Sequence, residues 1–324
     1  MKQTIWFLLD DRNGSVNQAR GVENALNKEK YIIEEKKISY NFLAALPNFI
    51  RGKTLLGVKS CDEAIFNKIP DIVVSSSRRT VPVARYIKKM SRGKTKLVQL
   101  MHPGRVGMKD FSLIFVPEHD RGKKNGDNVE YIVGCAHRIT PDSLNQAHEK
   151  WKDFFAKYQK PLTAVIVGGA IKKRKFTDQN ASDFGKMLKH MYDKTGGTLL
   201  VTTSRRTGLS AQSVLMNEIK DIPCYSYLWG DKSENPYMGF LSEADNIVVT
   251  GDSVSMCSEA VGTGKPIYIF CGENWLSKKH ERFVNSLYNK GFAAPLGEKF
   301  KNNSSQIKSR NPAQDIAKKI EATL

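Results

Sequence analysis

The stretch from Ala244 to Phe270, ADNIVVTGDSVSMCSEAVGTGKPIYIF, constrains the fold more than any other part of the chain. Ile247 to Val249 is a short β-branched run suited to a strand buried on both faces. Thr250, Gly251, Asp252 and Ser253 break it. Met256, Ala260 and Val261 then recur at helical spacing, Gly262 and Gly264 supply stop signals, and Pro266 to Phe270 reads as the next buried strand. A parallel strand feeding a helix puts the turn at the carboxyl end of a sheet, where open α/β folds bind ligands. Ser253 and Ser255 fall at the helix start, where hydroxyls and backbone N–H groups can hold a phosphate. Glu259 follows Ser255 by four residues and shares its face, so its carboxylate can accept the hydroxyls of a ribose. Helix capping by the serines and a glutamate that simply faces water is the plainer account of the same residues.

The same alternation runs through the rest of the chain. Thr4 to Leu9 reads as a strand, with a turn from Asp10 to Gly14 and a helix from Val16 to Leu26, and Asn17 and Gln18 aimed at the turn's occupant. The glycine turn lacks G-x-G-x-x-G, so a dinucleotide cofactor site is only weakly indicated. Further strands are expected at Tyr31 to Ile38, Asp71 to Ser76, Lys96 to Leu100, Ser112 to Val116 and Val129 to Val133. A helix from Ser143 to Tyr158 closes this half, and Gln159 to Pro161 reads as a linker. The second half restarts at Leu162 to Val167, followed by Gly168 and Gly169, which let a backbone approach a phosphate or another domain closely.

Strands at Asp71 and Leu199 both end in Ser-Arg-Arg-Thr, at residues 77–80 and 204–207. Each delivers hydroxyls and an arginine pair, Arg78 and Arg79 in the first half, Ser204, Arg205 and Arg206 in the second, as a cleft gripping phosphate from both sides would need. Asp11, His102 and Glu118, at strand ends of the first half, are the candidate general bases. An aromatic of the stretch from Trp229 to Leu241, which includes Tyr237, can stack on a base. The segment from Tyr40 to Lys59 sets Phe42, Leu43, Leu46, Phe49 and Ile50 beside Arg51, Lys53 and Lys59. It reads as a helix over a sheet, with an anionic membrane face as the alternative.

The chain's 324 residues suit two domains: residues 1–158 as an α/β acceptor-side domain and 162–300 as a donor-side domain, with 301–324 as a basic tail ending in a helix. The formal charge of +18 favours anionic partners. Nucleic acid is set aside because the basic residues are dispersed and no recognition motif accompanies them. No run reaches the roughly 18 apolar residues of a membrane span. Asp10 and Asp11 interrupt the early apolar run before a signal-peptide core is complete. Five scattered cysteines without C-x-x-C suit a reducing cytoplasm, with Cys257 in a packing role. The six histidines show no metal-ligand spacing, and neither G-x-S-x-G nor a P-loop is present.

Residues 14–18 (GSVNQ), 102–105 (HPGR), 116–120 (VPEHD), 167–169 (VGG), 235–239 (NPYMG) and 252–266, with the two SRRT segments, carry a resemblance. The chain resembles the organelle-fission family that includes a plant mitochondrial fission protein and many bacterial relatives. That family is similar to glycosyltransferases of the GT-B fold, so the resemblance implies two doubly wound, Rossmann-like α/β domains facing across a cleft. The serine-glutamate helix and Gly-Lys-Pro strand are similar to the donor site of nucleotide-sugar enzymes such as the one that adds N-acetylglucosamine in peptidoglycan synthesis. By position, Ser253 and Ser255 are implied to touch the diphosphate and Glu259 the ribose. Gly14 is implied to lie near the acceptor, and Asp252, Tyr237 and Met238 to border the donor. Pro103-Gly104-Arg105 departs from the Pro-Arg expected of relatives.

The expectation is a metal-independent glycosyltransferase-like protein without a resident cofactor. It would bind a nucleotide-diphosphate sugar in the interdomain cleft and act on a cell-envelope or lipid-linked acceptor, in the cytoplasm or peripherally at the inner membrane face. The alternative is a non-catalytic interaction protein on the same scaffold.

Overall fold

The computed structural model describes residues 2–104, 106–122, 126–297 and 309–324. The chain divides into two compact units, residues 1–138 with 312–324, and residues 139–311.

In the first unit the order is β1 (Gln3–Leu9), α1 (Asn13–Ala25), β2 (Tyr31–Tyr40), α2 (Asn48–Arg51), β3 (Val58–Cys61), α3 (Ala64–Asn67), β4 (Ile72–Ser75), α4 (Val81–Met90), β5 (Lys96–Leu100), β6 (Leu113–Pro117) and β7 (Val129–Ile132). The sheet runs β3-β2-β1-β4-β5-β6-β7, parallel except for the antiparallel edge strand β3. Ile5 to Leu9 are all buried because helices cover both faces. Their alternation splits them: Ile5, Phe7 and Leu9 face the core with Val22 and Leu26, while Trp6 and Leu8 pack with Val83, Ala84 and Ile87.

The second unit holds α5 (Pro141–Phe155), β8 (Leu162–Val167), α6 (Asp178–Thr195), β9 (Thr198–Thr203), α7 (Leu209–Glu218), β10 (Cys224–Tyr227), α8 (Tyr237–Glu243), β11 (Asn246–Thr250), α9 (Val254–Gly262), β12 (Ile267–Phe270), α10 (Lys278–Asn289) and β13 (Ala294–Pro295). Its parallel sheet, β10-β9-β8-β11-β12-β13, has the doubly wound order with its switch point between β8 and β11. In the first unit the corresponding point lies between β1 and β4.

Three expectations are corrected. The segment from Tyr40 to Lys59 is not one helix: a 3-10 turn at Phe42–Ala45 and the single turn α2 lead into β3. Leu46-Pro47 and Gly52, with φ of 58°, interrupt any longer helix. The unit boundary falls at Arg138 rather than in the 159–161 linker. Helix α5 goes with the second unit because its aromatic face packs there: Phe154 meets Tyr225 at 5.2 Å and Phe155 meets Phe240 at 5.7 Å between ring centroids. Finally, the helix expected at the end of the chain is present but docks rather than trailing as part of a tail, and residues 301–308 of that expected tail lie outside the described residues. Helix α11 (Pro312–Thr323) buries Ala313, Ile316, Ala317 and Ile320, at i, i+3, i+4 and i+7, in the core of the first unit. Its Glu321 accepts the Asn27 N–H at 2.9 Å.

Candidate functional site

The switch point of the second unit gathers the ends of β8, β9 and β11. Asp252, directly after β11, is buried with a fully enclosed carboxylate. Its Oδ1 accepts the Thr250 hydroxyl at 2.7 Å, and its Oδ2 accepts the Gly169 N–H and an Arg206 Nη1–H, each at 2.8 Å. Burial pushes this carboxyl above its ordinary range, against the opposite pull of Arg206, Thr250 and Gly169. Thr250 Oγ1 in turn accepts the Gly168 N–H at 2.7 Å. The SRRT turn closes over the same glycines: Ser204 Oγ donates to the Gly168 carbonyl at 2.6 Å, and Ala170 N–H donates to the Arg206 carbonyl at 2.8 Å.

These bonds settle what Gly168 and Gly169 do within this unit. Their N–H groups are spent on Thr250 and Asp252, so they are not offered to a phosphate. A Cβ on Gly168 would overlap the Asp252 carboxylate, and one on Gly169, whose φ is 150°, would overlap the Arg206 backbone. Gly168, Gly169, Ser204, Arg206 and Asp252 thus form an internal frame. Thr250 completes that frame, and only its place as the last residue of a buried strand could have marked it in the sequence.

On that frame stands α9. Ser253 is its N-cap and accepts the Met256 N–H at 3.4 Å, in the capping role. Ser253, Ser255 and Glu259 are half-buried, and Arg205 is exposed. Tyr237, the first residue of α8, donates its hydroxyl to Glu259 Oε2 at 2.6 Å. Burial first, and the Glu259 carboxylate second, hold the Tyr237 phenol well above its ordinary range, so it stays a donor. The neighbouring Met238 is half-buried. Trp229 is exposed, and its backbone N–H donates to Thr203 Oγ1 at 2.8 Å.

The first unit repeats the SRRT turn. Ser77 N–H donates to Thr80 Oγ1 at 3.2 Å, as Ser204 N–H does to Thr207 Oγ1 at 3.0 Å. In each copy the second arginine is neutralised within its own unit, Arg79 by Asp10 and Asp11, Arg206 by Asp252. The arginine pairs therefore do not act as pairs toward a ligand. The first arginine of each, Arg78 and Arg205, is exposed.

Asp11, His102 and Glu118 follow β1, β5 and β6, all at the carboxyl edge of the first sheet. Asp11 is exposed and ion-paired to Arg79. His102 is half-buried, its Nδ1 accepting the Gly104 N–H at 3.0 Å, and Glu118 lies half-buried in a 3-10 turn. Gly14 lies within the first turn of α1 rather than in a loop, because the helix begins at Asn13. Asn17 is half-buried. Gln18 is turned inward, with Nε2 3.7 Å from Met101 Sδ, so it packs rather than facing the turn. Arg105 lies outside the described residues.

The model of the family described as mitochondrial fission ELM1 matches residues 13–324. The chain is 30% identical over 325 residues to uncharacterized protein RP120 of Rickettsia prowazekii, covering 91% of this chain and 90% of that protein. It is 30% identical over 243 residues to mitochondrial fission protein ELM1 of Arabidopsis thaliana, covering 68% of this chain and 56% of the plant protein. Among solved structures, a Listeria monocytogenes protein assigned as a UDP-N-acetylglucosamine 2-epimerase superposes with a TM-score of 0.62 at 11% identity, covering 99% of this chain and 95% of that one. The UDP-GlcNAc 2-epimerase of Neisseria meningitidis, bound to UDP-GlcNAc, does so with a TM-score of 0.53 at 12% identity, covering 99% of each. At these identities the likeness shows the fold: two Rossmann-like units of the GT-B type.

Proposed function

The chain belongs to the mitochondrial fission ELM1 family, and from that premise we propose that its second unit is a binding site for a nucleoside diphosphate sugar. The observation that carries this reading is the hydrogen bond from Tyr237 to Glu259, which fixes a half-buried carboxylate on the same helix face as Ser255. The α9 N-terminus, with Ser253 and Ser255, meets the diphosphate, and Arg205 adds the positive charge that Arg206 cannot. Glu259 accepts the ribose hydroxyls, and Trp229 offers a ring to the base. The fold shared with proteins that handle UDP-N-acetylglucosamine supports this ligand class.

In the transferase reading, Arg205 and the helix dipole stabilise the departing diphosphate without a metal. Asp11, His102 and Glu118, at the carboxyl edge of the first sheet, are that unit's candidates for taking a proton from an acceptor. Calorimetric titration with UDP, GDP and CMP sugars tests the binding step. One of them is expected to bind, with Glu259→Ala weakening it at least about tenfold, the worth of one charge-assisted hydrogen bond. No binding by the wild-type chain overturns the reading.

A second reading is favoured by the ion pairs of Arg79 with Asp11 and of Arg206 with Asp252. Groups already committed to one another suit a scaffold that recruits a protein partner without turnover. Partner capture that survives Glu259→Ala and needs no nucleotide sugar would select it.

A further inference from the structure

Helix α2 has its polarity reversed. Its one turn buries Asn48 and Arg51, at i and i+3, and turns Phe49 and Ile50 outward, 66% and 51% exposed. The adjoining 3-10 turn adds Phe42 at 85%. A surface helical turn of a water-soluble protein ordinarily does the opposite.

The buried side of the turn is polar, with one amide, Asn48, and one cation, Arg51. Asn48 Nδ2 donates to the carbonyls of Arg78, at 3.1 Å, and Pro103, at 3.2 Å. Arg51 donates through Nε to the Leu56 carbonyl at 2.9 Å and through Nη2 to the Arg79 carbonyl at 3.2 Å. The guanidinium groups of Arg51 and Arg79 lie 5.8 Å and 4.9 Å from the centroid of the Tyr40 ring. Arg51 is completely buried, makes no ion pair among the described residues, and leaves Nη1 without a hydrogen-bond partner. The SRRT turn pinned by these bonds presents Arg78 to solvent, its guanidinium steadied by a 3.1 Å bond to the Ala45 carbonyl. Of the cations around the turn, Arg79 is paired with Asp10 and Asp11 and Lys53 with Asp110, so Arg78 is the exposed guanidinium beside the apolar tip. An apolar tip beside an exposed guanidinium complements a layer that is apolar within and anionic at its surface.

We propose that Phe42, Phe49 and Ile50 form a docking face for an acidic phospholipid bilayer, entering its apolar layer while Arg78 meets the lipid phosphates. Asn48 and Arg51 act as positioning residues: they tie the inserted turn to the SRRT loop, so seating the aromatics and presenting Arg78 are one event. The face belongs to the first unit alone and does not depend on the nucleotide-sugar reading.

Co-sedimentation of the full chain with large unilamellar vesicles tests this. Vesicles of phosphatidylcholine mixed with phosphatidylglycerol are expected to carry the protein down, and vesicles of phosphatidylcholine alone are not. Phe49→Asp and the double change Phe42→Ser with Ile50→Ser should each cut the bound fraction about tenfold, while an unchanged circular dichroism spectrum and melting temperature show the fold intact. Arg78→Glu should weaken binding and flatten its salt dependence. The proposal is overturned if the wild type ignores both vesicle types or if Phe49→Asp sediments like the wild type. It is also overturned if light scattering shows a dimer that Phe49→Asp dissolves, which would give the face to a second copy of the chain.

Discussion

Tyr237 and Glu259 are joined by a 2.6 Å hydrogen bond although 22 residues separate them, because α8 and α9 flank β11 on successive crossovers of the same sheet. The bond orients one carboxylate oxygen and so determines what the other can meet. Removing the phenol hydroxyl keeps the ring in place and takes one donor away from the carboxylate. Tyr237→Phe is therefore expected to weaken nucleotide-sugar binding by about tenfold, roughly 1.4 kcal/mol, with little loss of stability. Calorimetry and a thermal melt on the same variant separate the two effects, and unchanged affinity would detach Tyr237 from the site.

Gly169 allows no side chain. A methyl group there meets the Arg206 backbone while its φ of 150° is itself unfavourable for an L-residue. Gly169→Ala should cost about 3 kcal/mol in denaturant unfolding. A loss well below about 1 kcal/mol would show that the SRRT turn yields more easily than its hydrogen bonds indicate.

Asp252 holds three donors at once. Asp252→Ala leaves the Gly169 N–H buried without its acceptor, and Arg206 falls back on water and the Ala170 carbonyl, which its Nη1 already reaches at 3.0 Å. Because Arg206 keeps over a third of its side-chain surface in solvent, the expected loss is about 2 kcal/mol rather than the larger cost of breaking a fully buried pair. The measurement is the shift in the urea midpoint at unchanged slope.

Lys265 supplies a pH signature. Burial pushes its ammonium down from the ordinary 10.5 to about 8, against the pull of Glu243 and Asp245. Between those two values the unfolded chain holds a proton that the folded chain has released. This group's contribution to stability therefore rises with pH across that window and is least favourable below about 8. Unfolding free energies of wild type and Lys265→Gln, compared pH by pH, should diverge in the wild type's favour from about pH 8 upward. A constant gap would place the ammonium in a more solvated setting than the 2.6 Å bond to the Ser242 carbonyl suggests.

Much of this fold is legible in the residues. Strand segments such as Ile5 to Leu9 and Ala164 to Val167 are covered on both faces, so the sequence writes them as unbroken apolar runs that need no partner to be recognised. The helix after Ser253 announces its own cap. What escaped depends on contacts distant in sequence. The aromatic face of α5 does not say which unit receives it, and Tyr225 and Phe240, far along the chain, are among the residues that do. Nothing near Gly168 says that the Asp252 carboxylate, three strands later in the chain but beside it in the sheet, comes to rest against it, so a phosphate loop and an internal latch look alike. Helix α2 misled because Phe49 and Ile50 carry the apolar signal that ordinarily marks the inner side.

The lobe begun by β1 is finished by α11. During synthesis its early strands must wait, with Val22 and Leu26 uncovered on one side, until Ile316 and Ile320 have left the ribosome, whereas the intervening lobe has everything it needs sooner. The middle of this polypeptide is thus free to become native before its beginning, an inversion of the usual vectorial order.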